Sequence, residues 1–458
     1  MTTSAIVLAA GQGTRMKSDL AKVLHLAAGR SLLDWVLATL EPLDVDAVAV
    51  VVGHQADEVD ASLPEWATAV IQAEQLGTGD AAKVGLAAVG TDGTVLVVPG
   101  DMPLLESATL AEMLGVHRET GSAATVLTVR IEDPTGYGRV LRDGEDVVAI
   151  VEQGDADHDQ LMIDEVNTSV YAFDAGMLAS ALERVGTENS QGEFYLTDVI
   201  GVLAADGHRI RAVEAAPIEG TGVNSHDQLA AVAAILRARI NKRLLADGVW
   251  MLDPSRVYID HGVAVAGGAR LYPDTILEGS TVIGAGAEVG PSVHARNTTI
   301  EPGATVRYAV LDGASVGPGA TIGPFTYLRP GAVLSEKAKA GAFVEIKNSE
   351  VGPRSKVPHL SYIGDTTIGE DANIGAGTVT VNYDGFAKHR TVIGDRVRIG
   401  SDTMLIAPVE VGDDAFTGAG SVITENVSSG SLAVERSTQR EIEGYAERRR
   451  RRAGADEG

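Results

Sequence analysis

The sequence contains no cysteine, which rules out disulfide bonds, thiolate metal ligands and cysteine nucleophiles. Aromatic residues make up only 4% of the 458 residues, and all three tryptophans (Trp35, Trp66 and Trp250) lie in the first 250. No apolar run approaches the length of a membrane span, and no targeting segment is visible at the start. We therefore expect a cytoplasmic protein without a membrane partner.

Basic residues are also scarce, since 37 Lys and Arg stand against 63 Asp and Glu, giving a formal charge of −26. Residues 1–250 carry a net −21, from 16 basic and 37 acidic residues, and residues 251–458 carry −5, from 21 and 26. A charge of this sign repels polyanions and argues against nucleic-acid binding. The length predicts two or three domains, and the change in composition predicts a boundary near residue 250.

The first half has the pattern of an α/β domain. Short apolar runs at residues 5–9, 45–52 and 94–98 end in glycine or Pro-Gly-Asp, and helical patterns lie between them, at residues 31–40 and 80–88. Apolar strands that alternate with helices indicate a mostly parallel sheet covered on both faces. Ligands bind such sheets at the carboxyl ends of the strands.

Two of these strand ends are rich in glycine and polar residues. In residues 8–16 (LAAGQGTRM), Gly11 and Gly13 allow the backbone to approach an anion, and Arg15 and Lys22 add positive charge. A tight turn between strand and helix explains the glycines equally well. Asp101, in residues 98–103 (VPGDMP), is either a ligand for a hard cation or an aspartate of a turn or helix cap.

Further segments of the first half are QAEQLGTG at 72–79, PTGYGR at 134–139, VEQ at 151–153, EVNTS at 165–169, EFYLTD at 193–198 and GTGVN at 220–224. Together with LAAGQGTRM and PGDMP, they closely resemble the sugar-1-phosphate nucleotidylyltransferase family. LGTG and GVN resemble its N-acetylglucosamine-1-phosphate uridyltransferase branch.

The second half repeats with a period of six. Eleven Ile-Gly or Val-Gly pairs begin at 283, 289, 316, 322, 351, 363, 368, 374, 393, 399 and 411, and six of the ten intervals are multiples of six. Such hexads, with Ile or Val inward and small residues at the corners, predict a left-handed parallel β-helix. The off-period intervals predict projecting loops at residues 382–390 and 325–347. Residues 227–248 have a helical period and predict an arm between the halves.

The order of these parts resembles one bacterial family, the bifunctional N-acetylglucosamine-1-phosphate uridyltransferases/glucosamine-1-phosphate N-acetyltransferases, over about residues 3–445. The resemblance implies an α/β, Rossmann-like nucleotidylyltransferase domain at 1–226, a helical linker at 227–248, a left-handed β-helix of hexapeptide repeats at 249–430 and a C-terminal arm at 431–458. It also implies synthesis of UDP-N-acetylglucosamine, a cell-wall precursor, from glucosamine-1-phosphate, acetyl-CoA and UTP, with N-acetylglucosamine-1-phosphate as the intermediate.

For uridylyl transfer, the matching motifs imply the following residues. The nucleotide loop is Leu8, Ala9, Ala10 and Gly11; the catalytic phosphate-neutralising pair is Arg15 and Lys22; uridine is bound by Gln72, Gly77 and Thr78; Mg²⁺ is held by Asp101 and Asn224; and the sugar is bound by Gly138, Glu152 and Asn167.

For acetyl transfer, the resemblance implies His359 as the catalytic base. Substrate is bound by Arg329, Lys347, Tyr362, Asn373 and Lys388, and acetyl-CoA by Ala376, Asn382, Tyr383, Ser401, Ala419 and Arg436. Imidazole titrates in the range that a proton acceptor needs, and two cations suit one phosphate. Related acetyltransferases are trimers, so a homotrimer is expected.

Three alternative functions predict different sequence features or activities from those of the bifunctional enzyme. In a nucleotidylyltransferase whose β-helix only assembles the oligomer, the pattern of His359, NYDG at 382–385 and Arg436 has no role. A β-helix hydratase of the carbonic anhydrase type needs clustered histidines, and His261, His294, His359 and His389 lack that spacing. A non-catalytic scaffold would release no pyrophosphate from UTP. The basic end, at residues 448–452, is a solvated tail or an arm that contacts a phosphate or an acidic neighbour.

Overall fold

A computed structural model describes residues 2–455, and contacts within the chain divide it into two compact units, Met1–Arg239 and Ile240–Gly458. None of the helices within the described residues is both long and apolar enough to cross a membrane. Each unit is described separately below.

The first unit alternates strands and helices. Its strands are β1 (Thr3–Leu8), β2 (Leu26–Ala27), β3 (Arg30–Ser31), β4 (Ala47–Val52), β5 (Ala67–Ile71), β6 (Thr94–Pro99), β7 (Ala124–Arg130), β8 (Arg139–Asp143), β9 (Asp146–Val151), β10 (Glu165–Asp174) and β11 (Ile210–Glu214). Its helices are α1 (Leu32–Leu40), α2 (Ala56–Asp60), α3 (Thr78–Val89), α4 (Ser107–Thr120), α5 (His158–Leu161), α6 (Ala175–Leu182) and α7 (Asp198–Ala205). Short 3₁₀ turns lie at Thr14–Met16, Lys22–Leu24, Glu41–Leu43 and Pro217–Gly220.

The central sheet has the strand order β11-β7-β10-β6-β1-β4-β5, with β8 and β9 attached through β10. β1 pairs in parallel with β4 and β6, and β10 runs antiparallel to its neighbours β6 and β7. Alternate residues of each strand supply two apolar cores, because successive side chains point to opposite faces. Ile6 packs into one core and Ala5 and Val7 into the other.

Helix α8 (His226–Ala246) spans the division between the two units. The apolar residues of its period, which include Val232, Leu236, Ile240 and Leu244, are buried. Gly248 follows with φ +87°, a conformation that favours glycine and ends the helical path.

The second unit is a left-handed parallel β-helix built from three parallel sheets, with a 3₁₀ turn at Pro254–Arg256 between its first two strands. Sheet A contains Trp250–Met251, Arg270–Leu271, Glu288–Val289, Thr305–Val306, Thr321–Ile322, Lys339–Ala342, Lys356–His359, Asn373–Ile374, Arg398–Ile399, Phe416–Thr417 and Leu432–Ala433. Sheet B contains Val257–Ile259, Thr275–Glu278, Val293–Arg296, Ala309–Asp312, Thr326–Leu328, Glu345–Lys347, Tyr362–Gly364, Val379–Val381, Met404–Ile406 and Val422–Ile423. Sheet C contains Ala264–Val265, Val282–Ile283, Thr299–Ile300, Ser315–Val316, Val333–Leu334, Glu350–Val351, Thr366–Ile368, Thr391–Ile393 and Val409–Val411.

Most strands bury one or two residues, and these fill the inside of the coil. In sheet B these residues include Leu311, Leu328, Ile346, Ile363 and Leu405, all at most 1% exposed. From Arg270 onward, partners in sheet A are 16–18 residues apart, but Asn373 and its partner Arg398 are 25 apart. The extra length is the polar segment 382–390, which leaves the coil as a loop.

The predicted projecting loop at residues 325–347 is wrong. These residues continue the coil as Thr326–Leu328, Val333–Leu334, Lys339–Ala342 and Glu345–Lys347. Their inward positions hold Leu328, Leu334, Ala340 and Ile346. None of these belongs to an Ile-Gly or Val-Gly pair, because only Ala340 is followed by a glycine and it is neither Ile nor Val. The pair count therefore missed a regular turn of the coil.

The last element of the described residues is helix α9 (Tyr445–Ala455), which carries Arg448–Arg452 on an exposed surface. Arg451 pairs with Glu447 one helical turn away at 2.5 Å. Neither interpretation of the basic segment is tested by this geometry.

Candidate functional site

In the first unit, neighbouring strands bring the glycine loop and Asp101 to one edge of the sheet. Leu8 ends β1 and pairs with Pro99, which ends β6, and the amide of Gly100 donates to the Leu8 carbonyl at 2.9 Å. The following loop is held from the other side, where the amide of Ala9 donates to Val51 at 2.8 Å. Ala9 and Ala10 are buried, and Gly11 is exposed with open space around it.

Lys22 joins Asp101 to Asn224. Its Nζ donates to the Asp101 carboxylate and, at 3.1 Å, to Oδ1 of Asn224. The side chains of Lys22 and Asp101 are only 14% and 16% exposed. The backbone reinforces this arrangement, since the amide of Val223 donates to the Asp101 carbonyl at 3.0 Å.

The Asp101 and Asn224 oxygens fit a divalent cation. A carboxylate and an amide oxygen already converge on one positive group, the Lys22 ammonium, and both are ligand types that Mg²⁺ takes. Within residues 2–455, no group of three or more His, Asp or Glu side chains is arranged to hold a metal. A site with few protein ligands is typical of Mg²⁺ that is bound together with substrate phosphates.

Gly13 fixes the path of the loop beside Lys22. Its φ is +58°, and a Cβ there would lie 2.7 Å from Cβ of Lys22. Arg15 follows on the 3₁₀ turn Thr14–Met16 and is exposed. Among the described residues no acidic side chain pairs with Arg15, so its guanidinium is available to an anion.

The proposed uridine-binding residues lie where β5 ends and α3 begins. Gln72 is 4% exposed, and its Nε2 donates to Asp80 Oδ2 at 2.7 Å and to the Gly77 carbonyl at 3.3 Å. Gly77 has φ +114°, and a Cβ there would lie 2.6 Å from the Phe194 carbonyl oxygen. Thr78 Oγ1 accepts from the amide of Leu196 at 3.1 Å.

The proposed sugar-binding residues also come together. The amide of Asn167 donates to the Gly138 carbonyl at 2.9 Å, and a Cβ on Gly138 would be 3.4 Å from the Glu152 carboxylate. Burial raises the pKa of Glu152, although a hydrogen bond of 3.2 Å from Thr197 opposes the shift. A β-bulge follows Asn167, whose Nδ2 donates to the Tyr171 hydroxyl at 2.7 Å.

In the second unit, the register of sheet A aligns His359 with three of the proposed acetyl-CoA contacts. Ala342 pairs with His359, and Lys356, Asn373, Arg398 and Phe416 are successive partners. Each of these four partners is followed, three positions later, by a residue at the next corner of the coil. These corner residues form one column: His359, Ala376, Ser401 and Ala419. Strand spacing of about 4.8 Å gives this column a length of roughly 14 Å. Arg436 closes it, since its Nη1 donates to the Ala419 carbonyl at 2.8 Å.

Three cations converge on sheet B. The Lys388 side chain lies beside Lys347, and the pKa of Lys388 is lowered by this contact and, more weakly, by the charge of Arg329. Arg329 is paired with Glu345 at 2.9 Å, and its exposed side chain lies in line with Lys347 along the coil. Two lysines and an arginine in one place are the side chains that a phosphate group would need.

Asp365 holds this cluster together. It lies 3.4 Å from Lys347 Nζ, accepts from Asn348 Nδ2 at 2.6 Å, and accepts from Asn382. Burial raises the pKa of Asp365, but hydrogen bonds from Asn348 and Asn382 and the charge of Lys347 outweigh it, so the pKa is lowered. Asp365 therefore fixes Lys347 and the start of the loop that carries Tyr383 and Lys388.

The loop is internally braced. Tyr383 and Lys388 form an antiparallel bridge, and Asp384 accepts from the amides of Phe386 and Ala387 at 2.8 and 2.7 Å. The bond from the Ala387 amide, then the contact with His389, then the bond from the Phe386 amide lower the pKa of Asp384. The tip residue Phe386 is 97% exposed.

His359 does not contact the cation cluster by any hydrogen bond within residues 2–455. It ends its strand in sheet A, and the corner residues Leu360 and Ser361 separate it from Tyr362 in sheet B. Its ring is exposed, and its carbonyl accepts from Ser361 Oγ at 2.8 Å. Asn373 lies one coil further along sheet A, in line with Lys356.

Sequence reasoning missed Asp365, Asn348, Glu345 and Gln228. Gln228 Oε1 accepts from the amide of Asn224 at 2.7 Å and so fixes that residue from the first turns of α8. For Asp365 a signal existed, because the single five-residue interval between Ile-Gly pairs, from 363 to 368, spans it. Gln228 and Asn348 carry no pattern that distinguishes them from other polar residues.

Comparison with known proteins finds a family match in each of the two units. Residues 5–190 match the MobA-like NTP transferase domain, and residues 390–425 match the bacterial transferase hexapeptide family of six repeats.

Similar proteins cover almost the whole chain. The bifunctional protein GlmU of Streptomyces avermitilis is 50% identical over 97% of this chain and 94% of its own length. The GlmU proteins of Corynebacterium glutamicum (strain ATCC 13032) and Mycolicibacterium vanbaalenii are 47% and 48% identical over 98% and 97% of this chain and 95% and 93% of theirs. Identity at this level across both units shows that the chain belongs to the GlmU family of bifunctional enzymes, with a uridyltransferase and a glucosamine-1-phosphate acetyltransferase on one polypeptide.

Proposed function

We propose that the two reactions are carried out by the two clusters described above, uridylyl transfer in the first unit and acetyl transfer in the second. The chain makes UDP-N-acetylglucosamine from glucosamine-1-phosphate, acetyl-CoA and UTP, with Mg²⁺. The observation that supports the division is that each compact unit has basic side chains of its own at its proposed phosphate site. Each reaction has a phosphate substrate, so each needs such a site.

For uridylyl transfer, a phosphate oxygen of N-acetylglucosamine-1-phosphate attacks the α-phosphorus of UTP, and the bond to pyrophosphate breaks. Arg15 and Lys22 neutralise the phosphates, and Glu152 and Asn167 orient the sugar. Asp101 and Asn224 would hold Mg²⁺, which supplies positive charge to the phosphates. Positioning and charge neutralisation carry most of this type of catalysis, so no side-chain nucleophile is needed.

For acetyl transfer, Arg329, Lys347 and Lys388 bind the phosphate of glucosamine-1-phosphate, with Tyr362 and Asn373 beside it. The sugar amine attacks the thioester carbon while His359 accepts the amine proton, and coenzyme A leaves as the thiolate, which then takes that proton from His359 to become the thiol. The column Ala376, Ser401 and Ala419, with Arg436, Asn382 and Tyr383, binds acetyl-CoA. The alignment of His359 with this column supports its nearness to the thioester end.

A homotrimer would complete the second site. The left-handed corner residues Tyr308, Phe325, Phe343 and Leu360 form an exposed apolar ladder, with ring centroids 5.7 and 5.2 Å apart between the first three. The ladder lines a groove of about 850 Å³ that includes Tyr362. A second copy of the coil fits this surface, since exposed apolar patches of this kind mark interfaces.

The substrates UTP and acetyl-CoA favour a cytoplasmic location for the protein, which we propose on that ground. Small-molecule binding accounts for both sites, and neither unit requires a nucleic acid for this chemistry.

A coupled assay tests the proposed function. The protein is incubated with glucosamine-1-phosphate, acetyl-CoA, UTP and Mg²⁺, and products are followed by mass. UDP-N-acetylglucosamine should form only when all four are present, and N-acetylglucosamine-1-phosphate should form without UTP. Release of pyrophosphate from UTP and N-acetylglucosamine-1-phosphate without any acetyl transfer would instead support a β-helix that only assembles the oligomer. Loss of both reactions would support a scaffold.

A further inference from the structure

Asp80, in the first turn of α3, has no role in the mechanism above, yet it contacts a proposed uridine-binding side chain. The Gln72 amide nitrogen donates to Asp80 Oδ2 at 2.7 Å and to the Gly77 carbonyl at 3.3 Å. Both neighbours are acceptors, because an ionised carboxylate and a backbone carbonyl have no proton to donate.

These two acceptors fix which way the Gln72 amide points. If the amide were rotated by half a turn, its oxygen would face two other oxygens and its nitrogen would lose both partners. Gln72 is 4% exposed, so water cannot readily compensate such a loss. The orientation is therefore set by Asp80 and Gly77 together.

The remaining polar atom of Gln72 is its Oε1. No described residue donates to this atom, and it is not among the buried polar atoms that lack a partner, so it reaches accessible space. The fixed amide thus presents a hydrogen-bond acceptor to a ligand and no donor.

We propose that Asp80 is a positioning residue that selects uracil over cytosine by holding Gln72 as an acceptor. Uracil carries a proton on N3, which Oε1 can accept, whereas cytosine has a bare acceptor nitrogen at the same position. The inference rests on the proposed contact between Gln72 and the base of UTP. It adds a chemical reason for preferring UTP to CTP.

The test compares kcat/KM for UTP and CTP in pyrophosphate release with N-acetylglucosamine-1-phosphate. Asp80→Asn keeps the size of the side chain but can donate as well as accept, so the Gln72 amide can rotate. The UTP-to-CTP ratio should fall by about tenfold or more. Glu74→Gln is the matched control, since it removes an acidic charge from the same segment without touching Gln72, and its ratio should equal that of the wild type.

A double-mutant cycle separates this role from a purely structural one. In a Gln72→Ala background, Asp80→Asn should leave the ratio unchanged, because there is no amide to orient. A ratio within about twofold of wild type in Asp80→Asn, or an equal fall in both backgrounds, overturns the inference. If Asp80→Asn does not fold, Asp80→Ala serves in the same cycle with the same expected outcomes. A wild-type protein that releases no pyrophosphate at all would refute the proposed function instead.

Discussion

At the scale of single residues, burial and ion pairing distinguish the side chains that are available to bind a substrate or metal from those that already have a partner. Lys22 already bridges the two oxygens proposed for Mg²⁺, whereas the exposed Arg15 has no acidic partner among residues 2–455. Glu152 is held in surroundings that favour its neutral form. A carboxylate kept there at a cost in stability is typical of a binding residue.

The raised pKa of Glu152 predicts a stabilising substitution. A carboxyl group whose folded pKa lies above its unfolded value favours folding fully at low pH, and this contribution is lost as pH rises through the folded pKa. At pH 7 Glu152→Gln should therefore raise the melting temperature, by about 2–4 °C for each 1 kcal/mol removed. The gain should vanish below about pH 4, where the wild-type group is also neutral.

Differential scanning calorimetry across pH 3–8 measures this effect, and steady-state kinetics supply its functional counterpart. The KM for N-acetylglucosamine-1-phosphate should rise in Glu152→Gln, because a neutral amide replaces the proposed sugar-binding carboxylate. An unchanged melting temperature at pH 7 would contradict the burial argument.

At the scale of elements, the hexad period predicted the coil but not all of its turns. Ile or Val before glycine marks an inward residue followed by a tight corner, so the pattern identified the coil and the loop at 382–390. It failed at residues 325–347, because Leu328, Leu334 and Ile346 fill the interior equally well without a following glycine. Burial depends on the size and polarity of the side chain, so a pattern limited to two residue types and glycine is incomplete.

The candidate sites were predictable to a similar extent. The glycine loop, Asp101 and the cation set carry recognisable motifs, and the structure brings most of their members together within each unit. Residues that orient these groups do so through polar contacts: Gln228 accepts from the amide of Asn224, four residues away, and Asp365 accepts from Asn348 and Asn382, each 17 residues away. The five-residue interval around Asp365 marks its position but not its partners, and Gln228 carries no such mark, so these contacts require coordinates.

The loop at 382–390 should depend on Asp365. Its two oxygens accept from Asn348 and Asn382, and an asparagine in its place has only one acceptor oxygen. Asp365→Asn should therefore lower the free energy of unfolding by about 1–3 kcal/mol and speed hydrogen exchange in the loop. Since the pKa of Asp365 is lowered in the folded state, the deficit should be present at neutral pH and shrink as pH falls through that pKa.

Asp371→Asn is the matched control for the coil. Asp371 pairs with Arg354 at 2.7 Å on an exposed surface, where such pairs contribute little. An equal loss of stability in both variants, or unchanged exchange in the loop of Asp365→Asn, would show that Asp365 does not brace the loop.

At the scale of the whole molecule, the composition divides into two parts with separate tasks. The first 250 residues carry −21 of the −26 charge, and a few cations admit an anionic nucleotide there. The coil is nearly balanced in charge, and many of its glycines lie at corners. Its exposed apolar ladder is the surface that we propose for a second copy.

The ladder predicts how assembly and acetyl transfer are linked. Phe343→Asp inserts a charge in the middle of the ladder, at a left-handed position that aspartate tolerates. Sedimentation should change from a trimer of 47.5 kDa chains to a monomer, with acetyl transfer lost and uridylyl transfer retained. A trimer that persists, or a monomer with full acetyl transfer, would contradict a shared site.

The central claim is that two independent active sites lie on one chain, and mixing two inactivated variants tests it most directly. Asp101→Ala should retain acetyl transfer alone, and His359→Ala should retain uridylyl transfer alone. Neither variant by itself should make UDP-N-acetylglucosamine from glucosamine-1-phosphate, acetyl-CoA and UTP, but an equal mixture should, because N-acetylglucosamine-1-phosphate passes between them through solution. If either substitution abolishes both activities, or if the mixture stays inactive while each partner keeps its single reaction, the account is contradicted.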